Sequence, residues 1–177
     1  RMGTAFAYQH YGVKPDLFTV AKGMTNATVP MGGVFATSKV REAFLSGPAN
    51  MPDLFHGYTY SGHPLASAAC IATLDVYRDE GIFENVARMA PLFEGMLHSL
   101  KGIEKVVDIR NAGMIGAVQL AQDGPVGAAG RAAYERLWDK GLVVRPIGDS
   151  FALSPPLTID AATIEKIGDL LRADLSA

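Results

Sequence analysis

Three side chains stand where chemistry could be done. Lys22 ends the hydrophobic run Leu17-Phe-Thr-Val-Ala21 and precedes Gly23. Lysine is seldom set among apolar residues without a partner or a task. Any lysine enclosed by apolar residues gives up its proton more readily, because desolvation disfavours the charged form. A neutral amine condenses with a carbonyl, which is how lysine anchors pyridoxal phosphate. The alternative is a strand-end lysine whose head reaches solvent. Such a cofactor also needs a phosphate cup. The stretch Tyr58-Thr-Tyr-Ser-Gly-His-Pro-Leu65 offers the Thr59 hydroxyl and backbone N–H donors at the entrance to a helix, where anions are favoured. Thr59 and Ser61 serve equally well as caps and turn formers. Arg145 follows Leu142-Val-Val144 and precedes Pro146, and its planar fork matches a carboxylate bidentately. A salt bridge at the surface or between domains is the competing use.

Other constellations carry less. His56, His63 and Cys70 lack the acidic companions and the spacing of a zinc motif, so no metal site is expected. Ser61-Gly-His63 places a nucleophile and a base too close along a loop for triad geometry, with no orienting acid. Asp53, Asp108 and Asp149 read as structural. Sixteen basic against eighteen acidic side chains give a formal charge of -2, with no basic run able to track a phosphate backbone, so nucleic acid is not an expected partner. The single Cys70 excludes an intramolecular disulfide. No apolar stretch approaches the ~20 residues that span a bilayer, and no signal peptide is visible. A cytoplasmic setting without membrane contact is the expectation.

The elements that must position these residues follow from periodicity. Leu17 to Ala21 reads as a buried strand, and Pro30-Met-Gly-Gly33 as a turn into the strand Val34 to Thr37. Ser38 caps a helix over Lys39 to Leu45, and residues 47 to 52 are loop. Pro64 opens a helix with Leu65, Ala68, Ala69, Ala72 and Val76 inward. Ile82 to Leu100 is a second, with Val86, Met89, Ala90, Phe93, Met96, Leu97 and Leu100 inward, kinked or divided at Pro91. Short strands follow at Val106 to Ile109 and Ile115 to Leu120. A helix over Arg131 to Lys140 buries Tyr134, Leu137 and Trp138. Further strands are expected at Leu142 to Val144 and Phe151 to Leu153, and Asp160 caps a last helix with Ile164, Ile167, Leu170 and Leu171 inward. A composition shift near Lys101-Gly102 divides the chain into 1–102 and 103–177.

Phe18-Thr-Val-Ala-Lys-Gly-Met-Thr-Asn26, Pro30-Met-Gly-Gly33, His56-Gly-Tyr-Thr-Tyr-Ser-Gly-His-Pro64 and Gly141-Leu-Val-Val-Arg145 through Leu153-Ser-Pro-Pro-Leu157 together resemble the class III aminotransferases, most closely their omega-amino acid:pyruvate (beta-alanine:pyruvate) branch. The resemblance covers essentially the whole chain. It implies an α/β fold: the C-terminal part of the pyridoxal-phosphate-binding large domain of fold type I (1–102), then a small α+β C-terminal domain (103–177). It implies pyridoxal 5′-phosphate as cofactor and an amino donor and keto acid as small-molecule partners. Lys22 then matches the covalent anchor and proton shuttle, Thr59 the threonine that reaches the cofactor phosphate of the neighbouring subunit in a homodimer, and Arg145 the clamp on the substrate carboxylate. The family's paired Asp-Glu motif, its ring-stacking aromatic and its glycine-serine phosphate loop are not in these 177 residues. A fragment of a longer chain is therefore expected, inactive alone and partnered by the N-terminal segment or by self-association. The competing readings are a non-catalytic truncated or split subunit, an aminomutase, and a class III enzyme using 2-oxoglutarate.

Overall fold

Proline and glycine punctuate this chain wherever its periodicity changes, and the observed elements follow those marks. The computed structural model describes residues 1–51 and 54–177; Asp53 and the expected loop end at Pro52 lie outside them. Helices run over Ala7–His10 (α1), Ser38–Leu45 (α2), Pro64–Asp79 (α3), Ile82–His98 (α4), Ala128–Asp139 (α5) and Ala161–Leu175 (α6). Strands run over Leu17–Val20 (β1), Gly33–Ala36 (β2), Val106–Ala112 (β3), Ile115–Leu120 (β4), Arg145–Ile147 (β5) and Ser150–Leu153 (β6). No helix among the described residues is long and apolar enough to cross a membrane. Residues pack as two units, Arg1–His10 with Ile82–Ala177, and Tyr11–Gly81.

The first unit holds an antiparallel sheet in the order β3-β4-β6-β5. Strand alternation puts Gly116, Val118 and Leu120 of β4 and Phe151 and Leu153 of β6 on the buried side. Against them pack Val86, Phe93, Met96 and Leu97 of α4, Ala133 and Leu137 of α5, and Ile164, Leu171 and Leu175 of α6. The stripe of α4 enters this core, so the first unit takes in the chain from Ile82 onward. The composition shift at 102 marks the change from helices to strands. Pro91 sits inside a continuous α4, so the helix is not divided there. At the other end of the unit, the Met114 N–H donates to the Arg1 carbonyl at 2.8 Å, and the Arg1 guanidinium donates to the Pro155 carbonyl.

Local differences from the sequence expectation have simple causes. Trp138 is 55% exposed beside the half-buried Tyr134: Ala133 and Leu137 hold the inner face of α5, and the residue after Leu137 lies about 100° further round the helix. Leu142 to Val144 is extended but makes no strand; the ladder begins at Arg145. Asp160 caps α6 as expected, accepting from the Thr163 N–H at 2.7 Å.

Two close approaches fix α5 and α6. Asp174 of α6 is 1% exposed and accepts from Arg136 at 2.9 Å and Lys140 at 2.8 Å. Burial alone pushes this carboxyl up; the hydrogen bonds from Arg136 and Lys140 outweigh it and hold the group below its ordinary value. Gly130 of α5 lies over the β5–β6 turn, where a methyl group would overlap the Gly148 carbonyl oxygen and come within 2.9 Å of the Ser150 carbonyl. Backbone cannot yield as a side-chain tip can. Gly130→Ala is therefore expected to lower stability by about 2–3 kcal/mol, despite the ~1 kcal/mol that alanine gains in helix propensity. Denaturant unfolding checks this, and an unchanged midpoint would contradict it.

The second unit is thinly cored. Among its described residues Thr25, Ala66 and Thr73 are buried. Strand β1 pairs antiparallel with β2, from Leu17↔Ala36 to Val20↔Gly33, and the Phe18 and Phe35 rings stack at 4.9 Å. No ladder among the described residues is parallel. Residues 21–32 join β1 to β2 with a single 3-10 turn and no crossover helix, and the chain returns antiparallel. Nor is β1 buried: Leu17 is 56% exposed. Thr37, not Ser38, occupies the N-cap of α2. On α3 the inward residues are Ala66 and Thr73, while Leu65, Ile71, Leu74 and Val76 face outward. This helix is apolar nearly all round, so period alone did not select its buried face.

Candidate active site

Lys22 begins a single 3-10 turn, Lys22–Met24, directly after β1 and Ala21. Its backbone is left-handed, with φ +54°, as are Asn26 at +49° and Ala27 at +61°. Non-glycine residues there are strained, and such strain gathers at functional sites. Local bonds hold the segment. The Lys22 carbonyl accepts from the N–H groups of Thr25 and Ala27, each at 3.3 Å. The buried Thr25 hydroxyl donates to the Val29 carbonyl at 2.6 Å, and the Thr28 hydroxyl donates to the Thr25 carbonyl at 2.7 Å. From α3, the Tyr77 hydroxyl donates to the Gly23 carbonyl at 2.7 Å.

The Lys22 side chain is exposed, so the apolar enclosure expected around it is not formed by the described residues. It has no ion-pair partner among them either. The alternative of a strand-end lysine whose head reaches solvent is thus what the described residues show.

Thr59 lies in the turn that leads into α3. His56 Nδ1 accepts from the Tyr58 N–H at 2.9 Å, and the Ser61 N–H donates to the Tyr58 carbonyl at 2.9 Å. Tyr58 is left-handed, with φ +49°. His63 takes the N-cap position of α3 without a side-chain bond and Pro64 its first turn, so neither Thr59 nor Ser61 is spent on the cap. The turn borders a cavity of about 650 Å³ whose lining includes Pro30, Gly32, His56, Thr59, Ser61 and His63. Lys22 does not line it. Tyr77, bonded beside Lys22, stands about 20 Å along α3 from Pro64 at ~1.5 Å per residue.

Arg145 opens β5, paired with Ala152, and its exposed guanidinium makes no ion pair among the described residues. Buried Leu142 and Val144 alternate with exposed Val143 and Arg145, so extended geometry turns the guanidinium away from the core. Asp149, in the β5–β6 turn, is structural as expected: its carboxylate accepts from the Gly127 and Ala129 N–H groups at 2.9 and 3.2 Å and fastens the start of α5. Among the described residues no three His, Cys, Asp or Glu side chains gather as a metal site would require. Sequence reasoning missed Thr25 and Tyr77. The first carried no signal beyond following Gly23-Met24; the second is 54 residues from its partner.

Residues 1–175 match the aminotransferase class-III family. The chain is 41% identical over 173 residues to an omega-aminotransferase of Caulobacter vibrioides, covering 97% of this chain and 39% of that protein. It is 39% identical over 172 residues to the beta-alanine–pyruvate aminotransferase of Pseudomonas aeruginosa, covering 96% of this chain and 38% of that one. A solved transaminase with L-alanine matches at TM-score 0.92 and 26% identity, over 99% of this chain and 43% of its own. The chain belongs to the class III aminotransferases, and its α/β architecture is part of their fold type I domain followed by a small α+β region. It spans about 40% of the length of the curated relatives it matches. Membership implies pyridoxal 5′-phosphate as cofactor. The donor set fits such a group, with an exposed amine on a strained turn and a hydroxyl-bearing turn at a helix N-terminus.

Proposed function

We propose that the protein carrying this chain moves an amino group from beta-alanine or another omega-amino donor to pyruvate, forming alanine. The observation that carries the reading is Lys22. It is an amine without an ion-pair partner among the described residues, just past the end of β1 on a left-handed turn, within a chain that matches one aminotransferase family from residue 1 to 175. The name of the second relative supports both donor and acceptor, and that of the first an omega-amino donor.

Bound pyridoxal phosphate supplies the electron-withdrawing ring that stabilises charge at the reacting carbon. Lys22 anchors the cofactor and carries the proton to and from the substrate carbon. Thr59 donates its hydroxyl to a cofactor phosphate, assisted by N–H groups at the start of α3. Thr59 serves in this way the cofactor of a second copy, in a homodimer, as in the family that the chain matches. The exposed apolar side chains of the second unit, Leu65, Ile71 and Leu74 among them, are further support for a covering partner. Arg145 pairs with the substrate carboxylate. In the complete protein we retain a domain division near residue 102, with Val106 opening the sheet of the small domain.

Two measurements test this. Borohydride reduction of the complete protein with pyridoxal phosphate, followed by peptide mapping, should place the label on Lys22. Among acceptors, pyruvate should exceed 2-oxoglutarate by tenfold or more in kcat/KM, about 1.4 kcal/mol of discrimination. A label elsewhere removes Lys22 from its role, and a preference for 2-oxoglutarate removes the acceptor assignment.

A further inference from the structure

We infer that Tyr77 is a positioning residue for Lys22, acting through the Gly23 carbonyl; this rests on Lys22 as the cofactor anchor. Three left-handed non-glycine residues between Lys22 and Ala27 make the turn costly to hold. The bonds made by Thr25 and Thr28 are internal to the segment and to Val29. Tyr77 reaches it from α3, 54 residues on, and donates at 2.7 Å to the carbonyl of the residue after Lys22. That bond pins the Gly23–Met24 peptide plane, and through it the direction in which the Lys22 Cα presents its amine.

Gly23 gives the independent observation. Its φ is not in the left-handed range, so backbone conformation does not call for glycine there. What calls for it is the phenol: a Cβ on Gly23 would lie 3.1 Å from the Tyr77 hydroxyl. Tyrosine and glycine are fitted to each other across the lysine turn. The same helix, α3, follows the Thr59 turn directly, so the element that holds Tyr77 also carries the start of the phosphate-facing turn.

The test uses the complete protein. Borohydride labelling of the wild type comes first; an unlabelled Lys22 sinks the anchor assignment itself, independently of Tyr77. With Lys22 labelled, Tyr77→Phe is expected to lower kcat about five- to tenfold, the rate equivalent of one ordinary hydrogen bond, with KM for the amino donor changed less than about twofold. In cofactor-free protein, the acetylation rate of Lys22 relative to Lys14 and Lys39 should change severalfold. Gly23→Ala should cause a comparable loss in the wild-type background and little further loss in Tyr77→Phe, where no hydroxyl meets the methyl group. If either kcat or Lys22 acetylation is unchanged in Tyr77→Phe, the inference fails. Strictly multiplicative losses in the double variant overturn it as well, as does a fall in activity that tracks loss of folded protein.

Discussion

Replacing Lys22 with alanine in the complete protein is expected to lower kcat/KM for amino-group transfer by about 10⁴-fold and to leave the fold intact. A positioned acid–base group contributes roughly 10²–10⁴-fold, and here the same amine is also the nucleophile that holds the cofactor. The folded state should tolerate the change, because the side chain is exposed and has no ion-pair partner among the described residues. A change within about 0.5 kcal/mol is usual for such positions. Lys22→Arg should be as inactive as the alanine variant, since a guanidinium stays charged and cannot condense with a carbonyl. Lys22→Gly should be equally inactive and more stable by about 0.5–1 kcal/mol, because glycine adopts φ +54° without the left-handed penalty. Steady-state kinetics with thermal unfolding on the three variants check the set. A loss below about tenfold in the alanine variant would show that the chemistry lies elsewhere.

Removing the two cations that face Asp174 is expected to destabilise the first unit more than removing Asp174 itself. Asp174 is 1% exposed, whereas the side chains of Arg136 and Lys140 are 46% and 39% exposed. Arg136→Met with Lys140→Met strands a buried carboxylate, which costs about 3–5 kcal/mol. Asp174→Asn leaves two cations that can turn to water, and costs about 1–3 kcal/mol. At about 2–4 °C per kcal/mol for a chain of this size, the melting temperatures should separate the two variants clearly. The acid limb carries its own sign. Burial raises the Asp174 carboxyl, but the bonds from Arg136 and Lys140 prevail, and the folded-state value lies below the unfolded one. The contribution is therefore complete above the unfolded value of about 4 and is lost as pH falls through it towards the folded value. Asp174→Asn should lack that part of the acid loss. An identical pH profile in both proteins would show that this pair carries no linkage.

The sequence was most legible where one face of an element is apolar and the other polar. Val86, Phe93, Met96 and Leu97 declared the inner face of α4, and Ile164 and Leu171 that of α6, because only one stripe could go inward. Helix α3 was misread for the opposite reason: apolar residues surround it, and only packing chose Ala66 and Thr73. Strand β1 was visible as a strand, but its partner and direction depend on the return through Pro30 to Gly33. Lys22, Thr59 and Arg145 were legible by residue type at the ends of elements. Their surroundings were not, since burial and unpaired charge arise from contacts between distant segments. Tyr77 shows this most plainly. Nothing local distinguishes it from any helical tyrosine until the fold brings it to Gly23.

The spacing along α3 has a consequence for how this chain can change length. One residue inserted between Pro64 and Tyr77 would swing the phenol by about 100° and advance it ~1.5 Å, carrying it off the Gly23 carbonyl. The exposed stretch from Gln122 to Val126, ahead of α5, bears no such phase and can absorb extra residues as slack. Indels surviving selection or directed evolution should thus collect between β4 and α5 and avoid α3, leaving a gap-free block in the alignment of any functional library.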